Sequence, residues 1–164
     1  MKPSRQHGAW SRRHVISWGA LCYGAASVFP TQIAIAVEPG IIPQPSEPTP
    51  KALVDRAFEM RDLALANSDQ GYGALIINAT SHKIVGQSPS RVIGNGDPTA
   101  HAEMEAIRDA ARRLGTRDLS NHVMYSSSRP CPMCEAAAYW ANIGGMYFGR
   151  GAENAGPPRL CRSG

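Results

Sequence analysis

The amino-acid sequence predicts an α/β fold in which helices and strands alternate within a single domain. Short apolar runs of strand length stand between segments whose apolar residues repeat with helical spacing, in the order α-β-β-α-β-α-β. Such an alternation is typical of helices that pack against a sheet. The length of 164 residues agrees with one domain and its own core, because domains usually have ~100–150 residues.

Residues 1–36 are predicted to be an export signal rather than part of this domain. Ser11-Arg12-Arg13-His14-Val15-Ile16 resembles a twin-arginine signal, and the uncharged stretch 15–37 follows it. Because the small-residue site Ala34-Ile35-Ala36 closes this stretch, we expect cleavage after Ala36 and a periplasmic or secreted protein. The alternative is a retained membrane anchor, since roughly 20 apolar residues can span a bilayer.

The net charge of +4 comes from the predicted signal. Residues 1–36 hold four of the 17 basic residues and no acidic one, so the remainder has 17 − 4 = 13 basic and 13 acidic residues. A protein that binds a phosphate backbone usually has a basic face. A nucleic-acid partner is therefore not favoured.

Residues 37–50 are predicted to be a proline-rich linker before a domain at 51–150. Proline removes backbone donors and favours extended chain, which suits a spacer. The prolines of this segment are Pro39, Pro43, Pro45, Pro48 and Pro50.

The domain is predicted to begin with a helix and a pair of strands. Thr49 is a suitable N-cap and Pro50 a suitable first helical residue. Gly73–Ile77 and Lys83–Gln87 are predicted strands on either side of the polar turn 78–82. The predicted buried face of the helix consists of Leu53, Ala57, Met60 and Ala64, flanked by Val54, Phe58 and Leu65.

Two further helices and two strands are predicted in the second half. Asp97-Pro98 repeats the capping pattern and opens a helix that runs to Leu114 and ends at Gly115. Another helix begins near Pro130-Cys131 and runs through Ala141. The strands are Val123–Tyr125 and Met146–Phe148, and residues 151–164 are predicted to be an irregular tail.

A His-x-Glu at 101–103 and a Cys-x-x-Cys at 131–134 predict a zinc site. His101, Cys131 and Cys134 are three ligands, and zinc with three protein ligands keeps a fourth position for water, as catalytic sites do. Bound Zn²⁺ lowers the pKa of that water to about 7. Glu103 is then placed to move protons. His101 and Glu103 would be about 200° apart on a helix, so we expect the site beyond a helix end.

Two other interpretations of these motifs are a redox Cys-x-x-Cys and a structural zinc site. A redox Cys-x-x-Cys does not require a His-x-Glu motif at a fixed separation along the chain. A structural site would need a fourth ligand such as His82 or His122, which are more simply surface histidines. Cys22 in the signal and Cys161 near the end make no disulfide framework.

The segments 97–107 and 130–141 resemble the cytidine-deaminase-like superfamily, and within it the guanine deaminases and tRNA adenosine deaminases. The resemblance covers about residues 52–148. It implies a three-layer α-β-α fold with a mixed central sheet, here shortened at the C-terminus. It also implies one Zn²⁺ per chain on His101, Cys131 and Cys134. Zinc-bound hydroxide would attack the amino-bearing carbon while Glu103 shuttles protons.

The resemblance implies hydrolytic deamination of a purine nucleobase or nucleoside. Tyr139-Trp140-Ala141 is most similar to the guanine deaminases, so a guanine-like small molecule is favoured as the partner, and a homodimer is expected. The alternatives are a tRNA adenosine deaminase and a non-catalytic zinc-binding domain.

The chain departs from the family pattern around the expected substrate pocket. Ser90 stands where the family usually has asparagine, and Arg129 stands where it often has glutamate. Serine has one donor and a shorter reach than asparagine. Tyr72 and Trp140 are candidates for walls against a flat base, although such residues are more often core packing. The predicted substrate contacts are Ser90, Ala102, Tyr72, Trp140 and Arg129.

Overall fold

The computed structural model describes residues 40–160. The predicted signal, its cleavage site, Cys22 and Cys161 lie outside these residues, so export and cleavage stay predictions. Within the described part, the helices are too short or too polar for any of them to cross a membrane.

A mixed five-stranded sheet forms the centre of the domain, in the order β2-β1-β3-β4-β5. β1 is antiparallel to both β2 and β3, β3 and β4 are parallel, and β5 returns antiparallel to β4. The strands are β1 (Gly73–Asn78), β2 (Ile84–Pro89), β3 (His122–Ser126), β4 (Gly145–Phe148) and β5 (Glu153–Gly156). The α/β class and the mixed sheet are confirmed.

Helices cover both faces of this sheet. They are α1 (Pro50–Ala66), the short α2 (Val92–Asn95), α3 (Ala102–Leu114) and α4 (Pro132–Trp140). Side chains of β1 alternate between the two faces, because successive residues of a strand point to opposite sides. Leu75 and Ile77 pack in a core with α1, whereas Ala74 and Ile76 pack in a second core with α3 and α4. The three-layer arrangement follows from this alternation.

The first helix agrees with its prediction except at one residue. The Thr49 hydroxyl accepts a hydrogen bond from the Ala52 N–H, and Pro50 begins α1. The four predicted core residues of this helix and Val54 are buried. Leu65 was expected beside them but is 50% exposed, because it lies on the side of the helix away from the sheet.

The helix expected from Asp97 begins only at Ala102, so that part of the prediction is wrong. The carboxylate of Asp97 accepts hydrogen bonds from the N–H and hydroxyl of Thr99, which folds Asp97–Thr99 into a turn. Aspartate favours such a local turn as readily as a helix cap. The predicted end is right, since Gly115 has a left-handed φ of 64°.

The tail predicted to be irregular contains β5. Its residues pair with β4 at the edge of the sheet. A strand at the edge of a sheet does not need alternating apolar residues that are buried in the core. The residues of Glu153–Gly156 are half-buried or exposed throughout. The apolar pattern that identifies a strand is therefore missing from this part of the sequence.

The predicted linker is in part docked on the domain. Ile42 is buried in the core beside α1. The Gln44 side chain accepts from the N–H of Ile84 at 2.7 Å and donates to its carbonyl at 3.0 Å. Arg113 donates to the carbonyl of Gly40. The described residues of this segment thus cover part of the open edge of β2, which is more than a spacer does.

Candidate metal centre

The predicted ligands lie at the N-terminal ends of α3 and α4. His101 is the N-cap of α3 and Cys131 the N-cap of α4, and both have extended backbone conformations. Neither side chain caps its own helix, so each is available to turn outwards. Cys134 follows in the first turn of α4. The site lies beyond a helix end, as expected. His101 precedes α3 and Glu103 is its second residue, so the two side chains are not held about 200° apart as they would be inside a helix.

The three ligand atoms form a nearly equilateral triangle. The Nδ1 atom of His101 lies 3.7 Å from the Sγ atoms of both Cys131 and Cys134, and the two sulfurs are 3.6 Å apart. Tetrahedral zinc with Zn–S bonds of about 2.3 Å and Zn–N bonds of about 2.0–2.1 Å has S–S edges of about 3.8 Å and S–N edges of about 3.6 Å. The triangle therefore fits Zn²⁺, and both cysteines are free thiols.

Among residues 40–160, His101, Cys131 and Cys134 are the one group of three or more such side chains close enough to share a metal ion. Neither His82 nor His122 joins them, which argues against a four-ligand structural site. His122 was expected at the surface, but it is buried at the start of β3. Its Nδ1 atom has no hydrogen-bond partner there.

Glu103 lies directly beside the ligands and is only 4% exposed. Its carboxylate accepts a hydrogen bond from the Cys134 thiol at 3.6 Å. Burial raises the pKa of Glu103, while its own backbone N–H, the Cys134 thiol and the charge of His101 oppose that rise. A carboxyl with a raised pKa exchanges protons more readily near neutral pH.

The Cys134 thiol is fully buried in the first turn of α4. Burial raises the pKa of this thiol, and the negative charges of Glu103 and Cys131 raise it further. Desolvation of a fully buried sulfur outweighs the helix dipole. Metal binding would have to remove the proton, as it does for thiol ligands in general.

A cavity of about 430 Å³ opens beside these groups. The loop before β1 and the loop before α4 form its walls, so residues distant in sequence share it. Its lining residues are Gln70, Tyr72, His101, Glu103, Ser128, Arg129 and Cys131. Tyr72 and Arg129 thus line the cavity, and their contact with a substrate stays a prediction. Gln70 was missed, since a polar residue in a turn before a strand has no distinguishing pattern.

Three of the predicted substrate contacts lie elsewhere. Trp140 is 71% exposed at the far end of α4, where its ring meets the edge of Tyr139. The Ala102 side chain is packed in the core. The Ser90 hydroxyl donates to Asp69 and lines a separate depression. The side chains of Trp140, Ala102 and Ser90 therefore have other surroundings than this cavity: the end of α4, the core and the hydrogen bond to Asp69.

Arg129 is held at the cavity by an aromatic ring. The central carbon of its guanidinium lies 5.6 Å from the centroid of the Phe148 ring, within the range of a cation–π contact. Within residues 40–160 it forms no ion pair with an acidic side chain. Its charge therefore remains available at the cavity.

The protein-family model of the cytidine and deoxycytidylate deaminase zinc-binding region matches residues 48–150. The guanine deaminase of Bacillus subtilis is 39% identical over 77 residues, which cover 47% of this chain and 48% of that protein. A tRNA-specific adenosine deaminase of Haemophilus influenzae is 33% identical over 93 residues, 57% of this chain and 53% of that one. The chain thus spans about half the length of these relatives.

A solved structure shares the architecture. The crystal structure of the guanine deaminase from Bacillus subtilis superposes with a TM-score of 0.56 at 33% identity, over 59% of this chain and 61% of that one. The match extends the likeness from the zinc motif to the arrangement of helices and strands.

Proposed function

The chain belongs to the family defined by the cytidine and deoxycytidylate deaminase zinc-binding region, and from this premise we propose that it is a zinc-dependent hydrolytic deaminase of a purine nucleobase or nucleoside. One observation carries the proposal: the triangle of His101, Cys131 and Cys134 lies beside the buried carboxyl of Glu103 at a cavity. A structural zinc site has no need of a cavity or of an adjacent acid.

The residues around the cavity have distinct roles in this proposal. His101, Cys131 and Cys134 would hold Zn²⁺, which when bound would supply a water of lowered pKa, about 7. Glu103 accepts the proton of the attacking water and returns it to a ring nitrogen of the base, which its raised pKa favours. Tyr72 offers a flat wall against which a base can stack.

A guanine-like substrate is favoured by the likeness to guanine deaminase in sequence and in structure. The Tyr139-Trp140-Ala141 segment supports this relationship only as a sequence similarity, because Trp140 does not reach the cavity. The volume of about 430 Å³ is within the usual range of small-molecule sites.

Deamination of adenosine in tRNA is a second candidate, motivated by the tRNA-specific relatives. A tRNA substrate would require a basic face. Since residues 37–164 hold equal numbers of basic and acidic side chains, the small-molecule substrate is preferred. Export by residues 1–36 and a homodimer remain proposals that rest on the sequence motif and on the family resemblance.

The test is ammonia release by the zinc-loaded full chain from a panel of purine and pyrimidine bases, nucleosides and nucleotides. We expect Glu103→Gln to retain zinc and to lose activity by about 10²–10⁴-fold, because a positioned acid–base group contributes that much. Glu105→Gln is the matched control: it removes an acid of the same helix that pairs with Arg108.

An active Glu103→Gln variant would contradict the assigned proton carrier. A folded, zinc-loaded wild-type protein that releases no ammonia from any compound would favour the non-catalytic zinc domain instead. Turnover of a tRNA anticodon stem-loop without turnover of free bases would favour the second candidate.

A further inference from the structure

The carboxylate of Asp69 joins two loops beside the cavity. It is only 8% exposed and accepts four hydrogen bonds, from the Gln70 N–H at 2.7 Å, the Ser90 hydroxyl at 2.9 Å, the Ile93 N–H at 3.0 Å and the Gly94 N–H at 2.9 Å. Hydrogen bonds to an ionised acceptor are roughly twice as strong as neutral ones. The loop before β1 is therefore tied firmly to the segment that contains α2.

The same two loops are connected to the metal centre through the backbone. The Ser90 N–H donates to the carbonyl of Tyr72 at 2.9 Å, and the Arg91 N–H donates to the carbonyl of Ala100 at 3.0 Å. Ala100 directly precedes the ligand His101. The position of the cavity wall is thus coupled to the position of the metal ligand by consecutive residues of one segment.

The hydroxyl of Ser90 is used within this arrangement and does not face the cavity. It donates to Asp69, and Ser90 is only 3% exposed. Gln70, in contrast, lines the cavity, and its exposed side chain makes no hydrogen bond with another described residue. Its carboxamide donor and acceptor are therefore unused by the protein, at a cavity that Tyr72 and Glu103 also line.

We propose that Gln70 is a specificity-determining residue that recognises the cyclic amide edge of a purine, and that Asp69 is the positioning residue that holds it. A carboxamide has an N–H donor for the C6 carbonyl and an oxygen acceptor for the N1–H of such a base. Glutamine therefore matches a guanine-like edge with two hydrogen bonds. This proposal rests on the proposed deaminase function and names the group that selects its substrate.

The test compares guanine with 2-aminopurine, which lacks the C6 carbonyl and the N1–H. For Gln70→Leu in the zinc-loaded full chain, we expect kcat/KM for guanine to fall about ten- to hundredfold, because the base loses its hydrogen-bond partners. We expect kcat/KM for 2-aminopurine to change by less than about threefold. The selectivity ratio, kcat/KM for guanine divided by kcat/KM for 2-aminopurine, therefore falls. Gln87→Leu is the control: Gln87 lies outside the cavity and accepts a bond from Arg56.

Asp69→Asn tests the positioning role, since an amide cannot accept all four bonds as a carboxylate does. For Asp69→Asn we expect the zinc content to be unchanged. The ratio of kcat/KM for guanine to kcat/KM for 2-aminopurine should fall, as in Gln70→Leu. A merely structural role would lower the melting temperature and leave that ratio unchanged.

The outcomes separate this proposal from the one on which it rests. If the wild type turns over guanine and Gln70→Leu keeps the full selectivity ratio, the role of Gln70 is refuted and the deaminase function stands. If the wild type turns over no purine, both proposals are overturned.

Discussion

The metal centre and the substrate wall share one cavity but are built in different ways. The ligands His101, Cys131 and Cys134 sit at the first residues of two helices that pack on the sheet. The wall residues Gln70 and Arg129 lie in exposed loops. The first region obtains its geometry from regular structure, and the second from hydrogen bonds and ring contacts between distant segments.

Because of this difference, we expect the two regions to respond differently to amino-acid substitutions. His101 and Cys131 are helix N-caps and Cys134 follows in the first turn of α4, so their relative position depends mainly on how the two helices pack. The wall depends on single contacts, such as those of Asp69. We therefore expect substitutions in the wall to alter contacts with a substrate more than they alter the three candidate ligands.

The largest effect is expected from breaking the metal triangle. In Cys134→Ser, the buried sulfur ligand is lost, and we expect zinc to bind at least about 100-fold more weakly, because even residues that only support zinc ligands contribute 10–100-fold. Zinc content measured by elemental analysis, together with ammonia release, checks this. Cys161→Ser is the control, and full zinc retention in Cys134→Ser would contradict the assignment.

A smaller effect is expected from disturbing the helix that carries His101. A Cβ atom at Gly86 of β2 would lie 2.6 Å from the Ala110 nitrogen and 2.7 Å from the Ala106 oxygen, both backbone atoms of α3. Gly86→Ala should therefore lower the free energy of unfolding by about 1–3 kcal/mol, as overpacking usually does.

Urea denaturation of the zinc-loaded protein measures this change. Gly40→Ala is the control, since its Cβ atom would meet nothing within 4 Å. Equal stability of the two variants would show that α3 can move away from β2 at little cost.

The smallest effect is expected at the exposed wall. Arg129→Ala removes a cation that lies on the Phe148 ring, and for a neutral base such as guanine we expect kcat/KM to change by less than about threefold, because an exposed charge contributes little to binding of a neutral group. Steady-state kinetics checks this. A tenfold loss on guanine would place Arg129 in direct contact with the base.

The three candidate ligands could be grouped from the sequence because they fall in two short motifs. Residues three apart at the start of α4 face one side, and the His-x-Glu belongs to a single turn. The same local reasoning placed Thr49 and Gly115 at helix ends. It failed for Asp97, since one side chain can cap a helix or close a turn, and the local sequence favours both.

The wall, in contrast, was predicted only in part. Tyr72 and Arg129 were found, but Gln70 was missed and Ser90 was assigned to the wrong role. The docking of Ile42 and Gln44 on the domain was also missed. Ser90 and Gln44 bind partners more than 20 residues away along the chain, Asp69 and Ile84, which local patterns do not reveal.

The sequence by itself therefore determined the α/β class and indicated the three candidate ligands and the adjacent acid, because periodicity and short spacings act within one helix turn or one strand. The tertiary structure alone decided which polar groups face the cavity and which are used in holding it together. The physical reason is that a hydrogen-bonding side chain such as Ser90 takes whichever partner the fold brings within reach, and that partner, Asp69, comes from another loop.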